Sequence, residues 1–196
     1  MVTGAAKLSS QEKRQLAAAL ADARRRTSAR LAMTVVYVSD KYPLYSMVYG
    51  GFAGIVALGV LALFWPGLTL RVGFYAAVGA AFLVTALLDV MPIRLRFIPP
   101  HAKLWECWEL AHRSFASRIL ARTDRKTGIL IFVSLGERYI EVVTDRDVDL
   151  KIPQSVWDGL IGDFMTAAKR NRIAEGLVGA VETATGVLEK HYPKAE

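Results

Sequence analysis

The acidic residues between positions 137 and 149 have the type and spacing that could bind a metal ion. They are Glu137, Glu141, Asp145, Asp147 and Asp149. Carboxylate oxygens are the ligands that hard divalent cations prefer. However, Arg146 and Lys151 lie among them, and an EF-hand's glycine and terminal bidentate glutamate are missing at the required offsets. We therefore expect residues 145–149 to form a solvated loop. The alternative is a divalent-cation site at Asp145, Asp147 and Asp149.

Other residue combinations that support catalysis are absent from the sequence or occur singly. Glu109-Leu-Ala-His112 has the spacing of di-iron helices, but such a site needs two copies and further carboxylates. The histidines lack zinc-site spacing, and no Ser/His/Asp set, Walker loop or Gly-x-Gly-x-x-Gly is present. The lone cysteine, Cys107, falls in an apolar helical stripe and is expected to be buried. We name no catalytic residue and expect no cofactor.

A predicted β-hairpin lies next to these acidic residues. Residues 128–135 are apolar throughout and rich in β-branched side chains, which is typical of a strand covered on both faces. Residues 138–145 alternate between apolar and polar, as in a half-exposed strand. The link between them, Gly136-Glu137, predicts a two-residue turn.

Two long apolar segments interrupt the sequence before this hairpin. Residues 45–64 carry no charge, and residues 72–91 carry only Asp89 near their end. Twenty residues span about 30 Å as a helix, which matches the hydrocarbon core of a bilayer. The short link around Trp65-Pro66-Gly67 predicts a transmembrane helical hairpin over residues 45–91.

The distribution of charge favours a membrane over a nucleic acid as partner. The formal net charge is +7, but residues 1–44 hold eight Lys or Arg against three acids, and residues 101–196 hold fourteen of each. The basic residues that flank the spans are Arg24, Arg25, Arg26 and Lys41 before them, and Arg94, Arg96 and Lys103 after them. The positive-inside rule then places both termini in the cytoplasm and these arginines at the membrane surface. We expect a multi-pass protein of the bacterial inner membrane that binds no nucleic acid.

Small residues mark one face of each predicted span. They are Gly50 and Gly54 in the first span, and Gly73 and Ala77 in the second. Such faces let two helix backbones approach closely. We expect them to pack the hairpin against itself, with a homodimer seam as the alternative.

The soluble segments predict an α/β fold with a small mixed sheet flanked by helices. Ser9 and Glu12 form a capping box before a helix over residues 11–27, and a strand follows over residues 31–38. Helices are predicted over residues 102–122, 154–169 and 173–191. The first has Leu104, Trp108, Ala111, Phe115 and Ile119 at helical spacing on its apolar face. Strand 31–38 has no partner in its own segment, so we expect it to pair in parallel with strand 128–135. Residues 8–40 and 101–192 would then form one discontinuous domain.

The C-terminal part of the sequence resembles the TPM domain family. The residues that carry the resemblance are Thr127-Gly-Ile-Leu-Ile-Phe-Val-Ser-Leu-Gly-Glu-Arg-Tyr-Ile-Glu-Val-Val-Thr-Asp145, Trp157, the stretch 175–182 and His191-Tyr-Pro193. Leu8-Ser-Ser-x-Glu12 and residues 31–38 resemble that domain's first helix and strand. The likeness is greatest to the bacterial membrane-protein branch, in which two spans interrupt the domain. Asp147 stands where the family often has glycine, and residues 1–30 lack the apolar core of an export signal.

The resemblance implies one of several roles, because family members have been proposed as phosphatases, as photosystem II repair proteins and as accessory subunits of membrane receptors. Some bind calcium through acidic residues at the edge of the sheet. Since no catalytic set can be named here, we expect a non-catalytic accessory or assembly factor of a larger membrane complex. The alternative is a metal-dependent phosphatase that uses the acidic residues 145–149.

Overall fold

The computed structural model describes residues 8–40, 42–122 and 127–194. The described helices and strands, in chain order, are α1 (Ser10–Arg26), β1 (Arg30–Val36), α2 (Pro43–Phe64), α3 (Leu70–Leu88), α4 (Met91–Phe97), α5 (Pro100–Arg118), β2 (Gly128–Ser134), β3 (Tyr139–Thr144), α6 (Arg146–Lys151), α7 (Gln154–Lys169) and α8 (Ile173–His191). The chain divides into two compact units, one formed by residues 1–39 and 104–196, the other by residues 40–103.

The first unit is built on a three-stranded mixed sheet in the order β1-β2-β3. β1 and β2 are parallel, with Arg30 opposite Gly128 and Val36 opposite Ser134. β2 and β3 are antiparallel. The predicted α/β fold is therefore confirmed, with a small mixed sheet in which β1 and β2 are parallel.

β2 is the centre of the core, and every one of its residues is buried. Because side chains alternate along a strand, Ile129 and Ile131 face α1, α7 and α8 in the larger hydrophobic cluster. Leu130 and Phe132 face α5 in the smaller one. The prediction of a strand covered on both faces is confirmed.

Helix α1 begins where its sequence predicts. The Ser9 hydroxyl accepts a hydrogen bond from the Glu12 backbone N–H at 3.2 Å, and the Glu12 carboxylate accepts the Ser9 N–H at 2.7 Å. This reciprocal pair satisfies two backbone donors that the helix cannot pair internally. Leu16, Leu20 and Ala23 then point into the core from one face of the helix.

Ala111, Phe115 and Ile119 in and after α5 are buried as predicted, and so is Cys107, but the buried face differs from the prediction at its N-terminal end. Leu104 and Trp108 are exposed, and the residues that pack on the sheet are Cys107, Ala111 and Phe115. The large side chains of Leu130 and Phe132 fill the space below the helix. Small residues at 107 and 111 let α5 approach that surface closely, whereas a tryptophan ring there would hold the helix away.

The β-hairpin turn also differs from the prediction. Ser134 pairs with Tyr139, so the connection has four residues, 135–138, where two were predicted. Arg138 takes a left-handed backbone conformation with φ 54°. β1 ends earlier than predicted, at Val36, because the following residues turn towards this loop: the Gly136 N–H donates to the Tyr37 carbonyl at 2.6 Å.

The second unit contains α2, α3 and the short helix α4. α2 and α3 pack along each other. The Thr85 hydroxyl donates to the Ala81 carbonyl oxygen at 2.8 Å and lies 3.5 Å from the Ser46 carbonyl oxygen across the helix pair. Arg94 in α4 donates from Nε to the Leu88 carbonyl at 2.9 Å and forms an ion pair with Asp89. Arg94 thus satisfies a carbonyl at the end of α3, where a cation also opposes the negative end of the helix dipole.

Candidate functional site

Helices α2 and α3 present a large apolar surface that the protein itself does not cover. Their most apolar windows have mean hydropathies of 2.1 and 1.7, yet only 11% and 6% of those windows is buried. A core helix of a soluble protein with this composition would be mostly buried. Both helices are long and apolar enough to cross a membrane.

The predicted small residues lie at the contact between these two helices. A Cβ atom added at Gly50 would lie 1.9 Å from Thr85 Oγ1 and 2.8 Å from the Ala81 carbonyl oxygen. One added at Gly54 would lie 3.0 Å from the Ala77 carbonyl oxygen. Gly73 is also buried, with a side-chain atom of Leu58 at 3.5 Å from the same added atom. Close backbone approach at Gly50 and Gly54 depends on the absence of a side chain.

The arginines predicted to lie at a membrane surface have different environments. Arg24, Arg25 and Arg96 are exposed. Arg26 donates from Nε to Glu189 at 3.1 Å, and this hydrogen bond raises its pKa. Arg94 is buried against α3 as described above. Lys41, which was also predicted to flank the first span, lies outside the described residues.

The acidic residues at 145–149 begin a helix, whereas a solvated loop was expected. Asp145 is only 8% exposed and is the N-cap of α6. One of its carboxylate oxygens accepts the Val148 N–H at 2.9 Å, and the other accepts the Gly128 N–H. Asp149 accepts a hydrogen bond from the Thr144 hydroxyl. Each of these carboxylates has a structural partner in the folded domain, which the alternating sequence pattern did not reveal.

Asp147 does not converge with these two carboxylates on a common centre. Its backbone carbonyl accepts a hydrogen bond from the Tyr192 hydroxyl at 2.8 Å. Within residues 8–40, 42–122 and 127–194, no group of three or more His, Cys, Asp or Glu side chains is arranged to hold a metal ion.

A polar cluster that the sequence did not predict lies at the carboxyl ends of β1 and β2. The Glu137 carboxylate accepts the Ser39 N–H at 3.0 and 2.9 Å, the Ser39 hydroxyl at 2.5 Å, and the Ser134 hydroxyl. Cys107 Sγ lies 3.2 Å from the same carboxylate. The predicted parallel pairing of β1 and β2 could have indicated this cluster, because the carboxyl ends of parallel strands meet at one edge of the sheet.

The cluster includes Cys107, the only cysteine of the chain, whose thiol is buried. Burial raises the pKa of this thiol to about 12; the Glu137 charge also raises the pKa, whereas hydrogen bonds with Ser39 and Ser134 lower it. A thiol with so high a pKa stays protonated at neutral pH, and a thiol must ionise to act as a nucleophile. Through the hydrogen bonds of Glu137 and Ser39 the cluster fastens the end of β1 to the hairpin turn and to α5.

A groove of about 450 Å³ lies beside the cluster, between the hairpin turn and α7. Its floor is apolar and includes Val133 and Phe164, while Arg138 and Lys169 contribute two cations. Burial raises the pKa of Tyr139 at its margin, and the Tyr139 hydroxyl donates to Glu141 at 2.8 Å. The described lining contains no carboxylate, histidine or thiol that could act as a general base beside a nucleophile.

Comparisons with known proteins show similarity at the level of the fold. The structure is similar to the NMR structure of the BA42 protein from the psychrophilic bacterium Bizionia argentinensis, with a TM-score of 0.59 and 14% sequence identity. The match covers 98% of this chain and 88% of that one. The sequence matches no protein-family model and no curated protein.

Proposed function

We propose that this protein is a TPM-like, membrane-anchored accessory or assembly factor of a larger membrane complex. The observation that carries the proposal is the uncovered apolar surface of α2 and α3, since only 11% and 6% of their most apolar 18-residue windows is buried. Exposing such a surface to water is costly, at about 25 cal/mol for each Å² of apolar area. Lipid removes that cost, so the hairpin inserts into a bilayer.

The proposed location is the bacterial inner membrane, with both termini in the cytoplasm. Arg24, Arg25 and Arg96 support this orientation, because they are exposed and lie on either side of the hairpin in the sequence. The linker between α2 and α3 and the start of α3 carry a single charge, Arg71. Fusions of a fluorescent protein and of alkaline phosphatase to residue 196 test the orientation. Fluorescence with no phosphatase activity is expected, and the reverse pattern would contradict the cytoplasmic assignment.

The accessory role is proposed in preference to an enzymatic one because two of the three candidate ligands, Asp145 and Asp149, have structural partners. Both oxygens of the Asp145 carboxylate accept backbone hydrogen bonds, which cap α6 and hold the start of β2. The groove beside β2 presents cations and apolar side chains. Neither place offers the acid–base pair or convergent ligand set that phosphate-ester hydrolysis requires.

Co-purification tests the accessory role directly. The tagged full-length protein, extracted from its host membrane in a mild detergent, should elute with a partner in fixed stoichiometry that mass spectrometry identifies. Asp147→Asn should leave that partner bound. A monodisperse protein without partner that releases phosphate from an ester in a metal-dependent manner, and loses this activity on Asp147→Asn, would replace the accessory role with the phosphatase alternative.

A further inference from the structure

Helix α5 exposes a group of large side chains beside its packing surface and towards its N-terminal end. Leu104 is 55% exposed, Trp105 61% and Trp108 43%. The two indole rings stack with centroids 5.4 Å apart, and the His112 ring lies 4.2 Å from Trp108. We call Leu104, Trp105, Trp108 and His112 the aromatic face of α5.

The fold does not account for this face. The part of α5 that covers the sheet consists of Cys107, Ala111 and Phe115. Single exposed apolar residues are ordinary on a protein surface, but adjoining ones of this size mark a surface that contacts something else. Two neighbouring tryptophans and a leucine make such a patch within two turns of one helix.

The chemistry of the face fits the boundary between lipid headgroups and acyl chains. Tryptophan is enriched there because its ring is apolar while its N–H remains hydrated. An interfacial helix has aromatic and aliphatic residues on one side and charges on the other, and α5 carries Glu109 and Arg113 as an ion pair on its surface. The chain also reaches α5 directly after the two apolar helices, through α4 with its exposed Phe97.

We propose that the aromatic face of α5 lies in the headgroup–acyl boundary of the membrane and forms a second attachment of the sheet-containing unit to lipid. The inference rests on the proposed insertion of α2 and α3, and adds an interfacial contact to it. Leu104, Trp105 and Trp108 insert their apolar parts, and the indole N–H groups hydrogen-bond with water and ester carbonyls.

Fluorescence quenching by brominated lipids tests the proposal on the full-length protein in nanodiscs. The lipid is phosphatidylcholine brominated either near the carboxyl end or near the methyl end of its acyl chains. The chain has four tryptophans. Trp157 is 0% exposed in the core and Trp65 is 59% exposed in the link between α2 and α3, so they serve as internal references. The variants are Trp105→Phe/Trp108→Phe and, as the matched control, Trp65→Phe; both leave the core residue Trp157 in place.

The carboxyl-end lipid should quench the wild-type protein more strongly than the methyl-end lipid. Trp105→Phe/Trp108→Phe should remove roughly two thirds of the lipid-quenchable emission, because two of the three exposed indoles are lost. Trp65→Phe should remove the remaining third. The emission of Trp157 should resist both lipids in every variant, which also shows that the core is folded.

Three results would overturn the proposal. If Trp105→Phe/Trp108→Phe leaves lipid quenching unchanged while acrylamide quenches these residues in the wild type, the face is in water. If neither lipid nor acrylamide reaches them, a second copy or another protein covers the face. If the methyl-end lipid quenches them more strongly, the face is not interfacial. In each case, continued lipid quenching of Trp65 shows that the helical hairpin is inserted in the bilayer. The proposed membrane anchoring fails only if Trp65 also escapes quenching.

Discussion

Substitution of adjacent glycines in α2 should have opposite effects on the helical hairpin. Gly50 and Gly51 are neighbours in the sequence, but only Gly50 faces α3. A Cβ at Gly50 would lie 2.8 Å from the Ala81 carbonyl oxygen and 1.9 Å from Thr85 Oγ1, whereas one at Gly51 would meet nothing within 4 Å. Gly50→Ala and Gly51→Ala therefore introduce the same methyl group into a tight contact and into open space.

The size of the effect at Gly50 follows from which neighbour can move. The Thr85 hydroxyl can rotate away, but the Ala81 carbonyl belongs to a helix backbone. Ordinary contact begins at 3.4 Å, so the two helices must separate by about 0.6 Å. A gap of this size forfeits roughly a quarter of the dispersion energy along the contact, and overpacking of this kind costs about 1–3 kcal/mol. Gly51→Ala should instead be neutral or stabilise α2 by up to about 1 kcal/mol through helix propensity.

Energy transfer between two dyes measures the opening of the hairpin. The dyes are attached to cysteines introduced at Leu44 and Leu87, which are exposed at the end of the helix pair near the contact between Ser46 and Thr85. The native Cys107 is buried and should not react with the dyes. In dodecyl maltoside titrated with SDS, Gly50→Ala should lower the midpoint of opening and Gly51→Ala should not. Equal midpoints for the two variants would show that the Gly50 face does not pack the hairpin, and would favour the homodimer seam.

Four further outcomes are expected in the sheet-containing unit. Asp145→Ala should lower the free energy of unfolding by about 1–2 kcal/mol through loss of the α6 cap. Asp147 is exposed, so Asp147→Ala should change the free energy of unfolding little. Thermal unfolding followed by circular dichroism measures both variants. Cys107 should react with a disulfide reagent at least roughly tenfold more slowly in the native than in the urea-unfolded chain at pH 8. Because its pKa is raised in the folded state from 9.0 to about 12, its contribution to stability is complete below pH 9 and should fall as the pH rises towards 12. Glu137→Gln should speed the native reaction of Cys107, since the amide cannot accept from all the donors that the carboxylate holds; an unchanged rate would show that the cluster does not protect the thiol.

The features that could be predicted from the sequence are those set by local pattern. The capping box at Ser9, the apolar run of β2 and the helical periodicity of α7 and α8 each depend on residues close together in the chain. The parallel pairing of β1 with β2 followed from one further step, because strand 31–38 had no partner nearby. These predictions succeeded because burial of the apolar face left one arrangement for each element.

The errors occurred where the outcome depends on residues distant in sequence. The hairpin turn was predicted from the local link Gly136-Glu137, but Glu137 accepts a hydrogen bond from Ser39, which lies 98 positions earlier. Asp145 was assigned to a solvated loop because its partner Gly128 is identified only once the sheet is assembled. A carboxylate in an acidic run can equally bind a cation or cap a helix, and local spacing does not distinguish the two.

Helix α5 shows how such an error can point to function. The predicted apolar stripe through Leu104, Trp108, Ala111, Phe115 and Ile119 is buried from Ala111 onwards, while Leu104 and Trp108 are exposed. The sheet is packed against Cys107, Ala111 and Phe115, whose small members let α5 approach Leu130 and Phe132 closely. The larger side chains of Leu104, Trp105 and Trp108 are left outside, where their exposure to water would destabilise the protein unless another phase covers them. An apolar surplus on a helix that follows two uncovered apolar helices is most simply satisfied by the same lipid that we propose to cover them. Quenching of Trp105 and Trp65 by one bilayer should therefore separate the interfacial contact from the anchor itself.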